Sequence, residues 1–161
     1  MEGTVPTTTA QRNDHKITPI HIRRGIPISA FPANRSEETA ARPRPIVPLA
    51  DLRIDCIETN FENMNLLVHR ANGLLNVGYF DRRDAAGEPS NFYGLGNTLG
   101  TGRLTEAMDA ERSPACERCG VRYRPALEHI RTLCGCDAET VEEAVREYAA
   151  TVAVRRRRVR S

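Results

Sequence analysis

Four cysteines near the C-terminal end of the sequence have the spacing of a metal site. Cys116 and Cys119 form a C-x2-C pair, and Cys134 and Cys136 form a C-x-C pair after fourteen intervening residues. A tight turn brings the two thiolates of a C-x2-C pair to one edge of a tetrahedral ion, and Gly120 lets the backbone curl there. Four thiolates favour zinc in a closed, structural site, so the sequence predicts Zn2+ as the cofactor.

His129 offers an alternative ligand set. Its separation from Cys134, with four residues between them, is the second-half spacing of a zinc knuckle. The ligands would then be Cys116, Cys119, His129 and Cys134, with Cys136 left over. A third interpretation is that the cysteines bind no metal and are only buried or redox-active. Cys56 belongs to another segment and is interpreted as a small core residue.

Basic and aromatic side chains accompany the cysteines. In a small zinc module such side chains point outward, where Arg pairs with phosphates and Tyr stacks on bases. The alternative is a solvated surface with salt bridges to Glu117 and Glu128. The predicted nucleic-acid-binding residues in this region are Arg118, Arg122, Tyr123, Arg124 and Arg131.

The sequence ends in an arginine-rich tail. Of its 23 basic residues, 22 are Arg, and five of these lie within the last seven positions. A block of this kind releases counterions from phosphates and is also typical of nuclear import signals. The tail therefore predicts further contacts with RNA or DNA, and a merely solubilising tail is the alternative. These contacts are assigned to Arg155, Arg156, Arg157, Arg158 and Arg160.

The cysteine pattern beside an arginine block resembles the cysteine-rich nucleic-acid-binding proteins of plant RNA viruses such as carlaviruses. The resemblance covers about residues 116–161, and here the Arg block follows the finger instead of preceding it. It implies a zinc finger that binds RNA or DNA with little sequence preference. It also implies a viral accessory role, such as suppression of host silencing.

Two helices are predicted to position these residues. Apolar residues recur at heptad spacing from Ile54 to Leu75, which predicts a helix over 51–72 with Asp51 as its N-cap. That helix either packs into the core of the same chain or forms a coiled-coil homodimer. A second helix follows the cysteines, with Thr140 and Glu143 as a capping box and an apolar face from Val141 to Val152.

The remaining segments are read from composition. Residues 1–48 are rich in Pro and predict a disordered or extended arm. Within it, 17–28 is interpreted as an extended surface segment, with a short strand or a segment that docks on a partner as the alternative. Residues 49–80 are predicted to contain the amphipathic helix, followed by a short strand over 77–80. Residues 81–112 predict a Gly-rich linker with a short helix over 104–111, and a phosphate-binding loop is disfavoured there. The zinc finger and its helix occupy 113–154, before the tail at 155–161.

Together these features predict a mostly α fold with irregular regions, built on a small zinc-stabilised module (α+β or α). No run of about eighteen apolar residues occurs, so neither a membrane segment nor a membrane partner is expected. The predicted location is intracellular, cytoplasmic or nuclear. We expect a non-enzymatic protein without a small-molecule substrate that binds nucleic acid through zinc-dependent structure; the alternative is a zinc-finger adaptor for protein partners.

Overall fold

The computed structural model of the chain describes residues 8–13, 16–22, 26–45, 50–88, 90 and 92–158. Side chains are described for 26–45, 50–88, 90, 92–132 and 135–150. Helices dominate this part of the chain, which confirms the predicted mostly α fold. The described residues form two compact units: the first lies within Met1–Glu62, Ala115–Tyr123 and Val154–Ser161, and the second within Asn63–Pro114 and Arg124–Ala153.

The first unit contains the strands. Strand β1 (Thr8–Asn13) pairs antiparallel with β2 (Lys16–Ile22), and β3 (Ile26–Ile28) pairs parallel with β4 (Ala50–Leu52). Strands β2 and β3 overlap 17–28, where a short strand was one interpretation, and their extended backbone agrees with the extended form of the predicted arm. The described residues of the arm also contain a short 3-10 helix at Ala33–Arg35 and helix α1 at Ser36–Ala41.

A small apolar core explains why these short elements hold together. Ile26 and Ile28 alternate inward along β3 and pack with Ala40 of α1, and all three are almost completely buried. Two buried hydroxyl groups add a link, since Ser29 Oγ lies 2.6 Å from Thr59 Oγ1 of helix α2 (Cys56–Phe61). Burial of apolar side chains, rather than helix propensity, therefore stabilises this unit.

The heptad stripe does not lie on one helix. The chain instead forms α2, then α3 (Asn65–Leu75), and Asp51 lies in β4. Asp55 is the N-cap of α2, because its Oδ1 accepts a 2.9 Å hydrogen bond from the Glu58 amide. The predicted 51–72 helix and its coiled coil are therefore wrong. Spacing alone could not reveal that side-chain caps divide this segment.

The strand predicted over 77–80 is also wrong, because this segment begins helix α4 (Val77–Ala85). The carbonyl oxygen of Asn76 accepts hydrogen bonds of 3.0 Å from the amides of both Tyr79 and Phe80. Asn76 therefore ends α3 and starts α4 at the same residue. Val77 is the single β-branched residue among the four, so the local preference for a strand was weak.

The second unit contains α3, α4 and α6 (Ala126–Cys134). It also contains most of α5 (Leu99–Arg118) and of α7 (Val141–Arg158). The helix predicted over 104–111 is thus part of a longer one, which takes up much of the segment predicted as a linker. Side chains from α3, α6 and α7 fill one apolar core together with Ala138. Its buried members are Met64, Leu67, Ala126, Ile130, Ala138, Val141, Ala144 and Val145.

The predicted capping box at the start of α7 is confirmed. The Glu143 amide donates to Thr140 Oγ1 at 3.2 Å, and the Thr140 amide donates to Glu143 Oε2 at 3.3 Å. The predicted apolar face is confirmed where side chains are described, since Val141, Ala144 and Val145 are buried. Within the described ranges, none of the helices is both long and apolar enough to cross a membrane.

Candidate active site

An aromatic cluster in the second unit surrounds a histidine. His69 lies on α3, and its ring meets Phe92 edge to face, with ring centroids 5.2 Å apart. Phe92 and Tyr93 belong to the turn between α4 and α5. Phe92 stacks on Phe80 of α4, and Tyr93 meets Tyr148 of α7 at a centroid distance of 5.7 Å. Three helices and one turn therefore position this aromatic cluster, which we define as His69, Tyr79, Phe80, Phe92, Tyr93 and Tyr148.

A short hydrogen bond links His69 to the cluster. Its Nε2 lies 2.5 Å from the hydroxyl oxygen of Tyr93, and the tautomer of the ring decides which of the two donates. The side chain keeps contact with solvent, yet the packing removes part of its hydration. This desolvation lowers the pKa of His69 below its ordinary value of 6.5. The imidazole is therefore neutral at pH 7 and able to accept a proton.

One polar group of the aromatic cluster has no internal partner. The hydroxyl oxygen of Tyr79 is buried and makes no hydrogen bond to the described residues. The Tyr79 ring packs on Phe80, at a centroid distance of 5.2 Å. A buried polar group without a partner is destabilising unless something else supplies its hydrogen bond. The cluster thus combines apolar ring surface with a titratable nitrogen and a buried hydroxyl group.

Two side-chain amides, of which Asn72 is buried and Asn76 half-buried, hold the turn that carries Phe92 and Tyr93. Asn72 is 1% exposed, and its Nδ2 donates a 2.6 Å hydrogen bond to the carbonyl oxygen of Phe92. Asn76 Nδ2 lies 2.7 Å from the carbonyl oxygen of Gly96 and 2.9 Å from Asn72 Oδ1. Both ends of the turn are therefore tied to the end of α3.

Glycines after this turn serve packing rather than phosphate binding. A Cβ at Gly96 would lie 2.5 Å from the Phe92 carbonyl oxygen, and one at Gly102 would lie 2.7 Å from Glu142 Cβ. The described element before this segment is helix α4, whereas a dinucleotide loop follows a strand. This glycine segment thus does not have the form of a dinucleotide-binding loop.

The predicted zinc ligands lie where helices end. Cys116 is buried in the last turn of α5, and Cys119 is exposed just after it. Gly120 and Gly135 have left-handed φ angles of 65° and 68°; Gly120 directly follows the first pair, and Gly135 lies within the second, where it ends α6. Cys136 packs against the core of the second unit. His129 is half-buried on α6, and the side chain of Cys134 lies outside the described residues.

No zinc module is present in the described part of the chain. There, the structure contains no group of three or more His, Cys, Asp or Glu side chains that could hold a metal ion. The physical reason is that C-x2-C followed by Gly is compatible with a helix C-terminus as well as with a metal-binding turn. The predicted Zn2+ cofactor is therefore wrong.

Several predicted nucleic-acid-binding side chains contact acidic or carbonyl groups instead. Arg122 Nη2 lies 3.2 Å from Glu62 Oε1, and Arg124 Nε lies 3.0 Å from Glu128 Oε1. Arg131 Nε donates to the Ala138 carbonyl oxygen at 2.5 Å. Arg118 is exposed at the end of α5, and Tyr123 is half-buried. In the tail, Arg155, Arg156, Arg157 and Arg158 continue the backbone of α7, and Arg160 lies outside the described residues.

The sequence analysis did not predict that His69 of α3 belongs to an aromatic cluster. The helical spacing gave no reason to place it near Phe92 and Tyr93, which lie more than twenty residues away. One signal was present: Asn72 and Asn76 stand four residues apart on the helix that carries His69. Amides at that spacing share a face and need partners when they are buried.

The comparisons with known proteins identify a family. The family model for the NAD/NADP octopine/nopaline dehydrogenase alpha-helical domain matches residues 53–157. The match covers 105 of the 161 residues. A comparison with curated proteins finds no match. The matched range includes α2 to α6, nearly all of α7 and the whole aromatic cluster.

This match overturns five predictions. The family is one of dehydrogenases, not of viral zinc-finger proteins, so the expected non-enzymatic function and its adaptor alternative are wrong. A nucleotide cofactor and a small-molecule substrate replace zinc and nucleic acid as the expected ligands. The resemblance failed because its C-x2-C pair lies at the end of helix α5. The chain belongs to the family of NAD/NADP octopine/nopaline dehydrogenases, which it matches through their alpha-helical domain.

Proposed function

We propose that this chain supplies the substrate-binding and proton-transfer part of an NAD(P)-dependent dehydrogenase. The observation that supports this most directly is the neutral His69 imidazole, which lies within the aromatic cluster and has Tyr93 at 2.5 Å. Because the matched family model is that of an alpha-helical domain, we assign the cofactor to a separate dinucleotide-binding domain.

The chemistry of a dehydrogenase explains why a neutral histidine is useful. Oxidation of a carbon that bears an amine or hydroxyl group releases a proton besides the hydride that the cofactor takes up. The neutral ring of His69, with its lowered pKa, accepts this proton and returns it in the reverse direction. Tyr93 orients the ring through its hydroxyl group.

The remaining members of the cluster suit substrate binding. Phe80 and Phe92 stack with an interplanar angle of 10° and provide apolar surface beside the His69 ring. The unpartnered hydroxyl group of Tyr79 offers one polar contact. A mostly apolar site with a few placed polar groups is the usual composition of a small-molecule site. Octopine and nopaline, the compounds in the family's description, are the first substrates to test.

Binding is tested on the chain itself. Octopine and nopaline are titrated separately into the purified protein, and the ring signals of His69 and Tyr93 are followed by NMR. We expect saturable shifts at both residues with at least one of the compounds, and the same shifts in a His129→Gln control, because His129 lies on α6 outside the cluster. Failure of both compounds to shift these signals contradicts the substrate assignment.

Turnover is tested by mixing the chain with a separately produced dinucleotide-binding domain of this family, with NAD or NADP and either compound. Loss of a general base typically lowers turnover by about 10²- to 10⁴-fold, and we expect His69→Gln to do so. His129→Gln should leave turnover unchanged. Equal turnover of the wild type and His69→Gln would remove His69 from the mechanism.

A further inference from the structure

The turn that carries Phe92 and Tyr93 is fixed by side chains that themselves lie outside the cluster of rings. Asn72 and Asn76 stand one helical turn apart at the end of α3, three and seven residues after His69. Asn72 donates to the carbonyl oxygen of Phe92, and Asn76 donates to that of Gly96. The histidine and the turn opposite it are therefore attached to the same helix.

We propose that Asn72 and Asn76 are positioning residues that act as an amide clamp: they hold the 92–96 turn and thereby set the contact between His69 and Tyr93. The clamp is a linked pair, because Asn76 Nδ2 lies 2.9 Å from both the carbonyl oxygen and Oδ1 of Asn72. Asn72 Oδ1 thus receives a donor while Asn72 Nδ2 is directed to Phe92. Reversal of either side-chain amide would place donor against donor or acceptor against acceptor and would break these hydrogen bonds.

Burial of Asn72 makes each hydrogen bond of the clamp costly to lose. Asn72 is 1% exposed, so a hydrogen bond lost within the clamp is poorly replaced by water. Gly96 is fitted to the same arrangement, since a Cβ there would lie 2.6 Å from Asn72 Oδ1 and 2.5 Å from the Phe92 carbonyl oxygen. The backbone of the turn approaches the clamp as closely as a glycine permits. The turn therefore has little freedom to move while the clamp is intact.

The clamp also explains why His69 is held in a partly desolvated environment. The ring is packed by Phe92 and Tyr93, which are neighbours in the clamped turn. Tyr93 is the titratable group in direct contact with the ring, and Tyr148 of α7 packs on Tyr93 from the other side. If the turn moves away, the His69 ring regains water, and its pKa returns toward 6.5.

The first test measures the pKa of His69 by NMR titration in the isolated chain, without substrate or dinucleotide. Asn76→Asp keeps the side-chain volume but replaces the donor by an oxygen that faces three acceptors. We expect the pKa of His69 to rise toward 6.5 and the contact between the His69 and Tyr93 rings to weaken in nuclear Overhauser spectra. An unchanged pKa together with unchanged ring contacts overturns the clamp.

A matched control separates positioning from general loss of an amide. Asn60 Nδ2 donates to the Cys56 carbonyl oxygen at 2.8 Å, four residues earlier in a helix, as Asn76 Nδ2 does to Asn72. Asn60 is exposed on helix α2, nine positions before His69. Asn60→Asp should therefore leave the pKa of His69 at its wild-type value. A rise of equal size in this control contradicts a specific role for Asn76.

A milder variant covers the case in which Asn76→Asp fails to fold. Asn76→Ser keeps one hydroxyl donor, so we expect a pKa of His69 between the wild-type value and 6.5. A folded Asn76→Ser with the wild-type pKa overturns the proposal as well. Gly96→Ala introduces a methyl group on the turn that displaces it from the clamp. It should therefore also raise the pKa of His69 toward 6.5.

The relevance of the clamp for turnover depends on the proposed function, but its existence does not. If His69 transfers the proton, Asn76→Ser should lower turnover by up to about 100-fold with a small change in KM, because misplacement by about 1 Å has that effect. If His69→Gln leaves turnover unchanged, the proposed function fails while the pKa measurements still decide whether the clamp exists. The two hypotheses are thus tested separately.

Discussion

The hydroxyl oxygen of Tyr93 lies 2.5 Å from Nε2 of His69, although the two residues are 24 positions apart in the sequence. This hydrogen bond joins helix α3 to the turn before α5, and it places the imidazole among aromatic rings. The ring remains neutral at pH 7 because desolvation disfavours its charged form. His69 is therefore able to accept a proton, and the chain belongs to a dehydrogenase family.

Acidification should weaken the fold through His69. Its pKa in the folded state lies below the ordinary value of 6.5, so the unfolded state binds more protons between these two values. The free energy of unfolding that depends on neutral His69 is complete above pH 6.5 and decreases as the pH falls through the folded-state pKa. Denaturant unfolding of the wild type and His69→Gln between pH 5 and 8 measures the effect.

In that experiment His69→Gln should show the weaker pH dependence, because it lacks the titrating group. Asn60→Gln, an exposed substitution that leaves His69 in place, should keep the wild-type dependence. Parallel curves for the wild type and His69→Gln would show that the His69 environment is the same in the folded and unfolded states.

Two helical glycines should respond in opposite directions to the same substitution. A Cβ at Gly102 would lie 2.7 Å from Glu142 Cβ and 3.2 Å from its Cα, so α5 and α7 must separate in Gly102→Ala. We expect a destabilisation of about 1–3 kcal/mol, as is typical of overpacking. A Cβ at Gly73 in α3 would meet nothing within 4 Å, and Gly73→Ala should stabilise by about 0.5–1 kcal/mol. Thermal or denaturant unfolding measures both, and a stabilised Gly102→Ala would contradict the close approach.

A buried ion pair in the first unit should be more sensitive than an exposed one. Arg53 Nε lies 2.7 Å from Glu62 Oε2, and these side chains are 8% and 2% exposed. Arg53→Met leaves a buried carboxylate whose remaining contact, Arg122, is 60% exposed, and we expect a loss of about 3 kcal/mol.

The matched control for Arg53 is the exposed pair of Arg35 and Glu38, with an N–O distance of 3.9 Å. Arg35→Met should change the free energy of unfolding by less than about 0.5 kcal/mol, since water screens this pair. Equal effects in both variants, measured by denaturant unfolding, would show that burial does not determine the strength of the Arg53 pair.

The two cysteines of the C-x2-C pair should not behave alike. Cys116 is completely buried, so Cys116→Ser places a hydroxyl group in an apolar environment and should destabilise by about 1–3 kcal/mol. Cys119 is exposed, and Cys119→Ser should change stability by less than about 0.5 kcal/mol. Denaturant unfolding in the presence of a chelator measures both. Equal losses would contradict the assignment of this pair to a helix end.

Part of the fold was predictable because its determinants are local. The Thr140–Glu143 capping box and the apolar spacing of Val141, Ala144 and Val145 define the start and buried face of α7 within a few residues. The isoleucines of 26–28 likewise indicated a short strand. The heptad pattern failed because Asp55 caps a helix that the spacing alone does not show. Sequence periodicity records which residues are apolar, but not where hydrogen bonds interrupt a helix.

The sequence by itself determined the mostly helical content, the α7 capping box and the match to the family model, since each depends on the order of residue types along the chain. Only the tertiary structure decided the candidate site. His69, Phe92 and Tyr148 come from separate elements, and Asn72 acquires its role because burial leaves the Phe92 carbonyl oxygen as the partner of its amide. Such contacts depend on packing between distant segments, whereas Cys116 and Cys119 lie at the end of α5 and Arg122 pairs with Glu62.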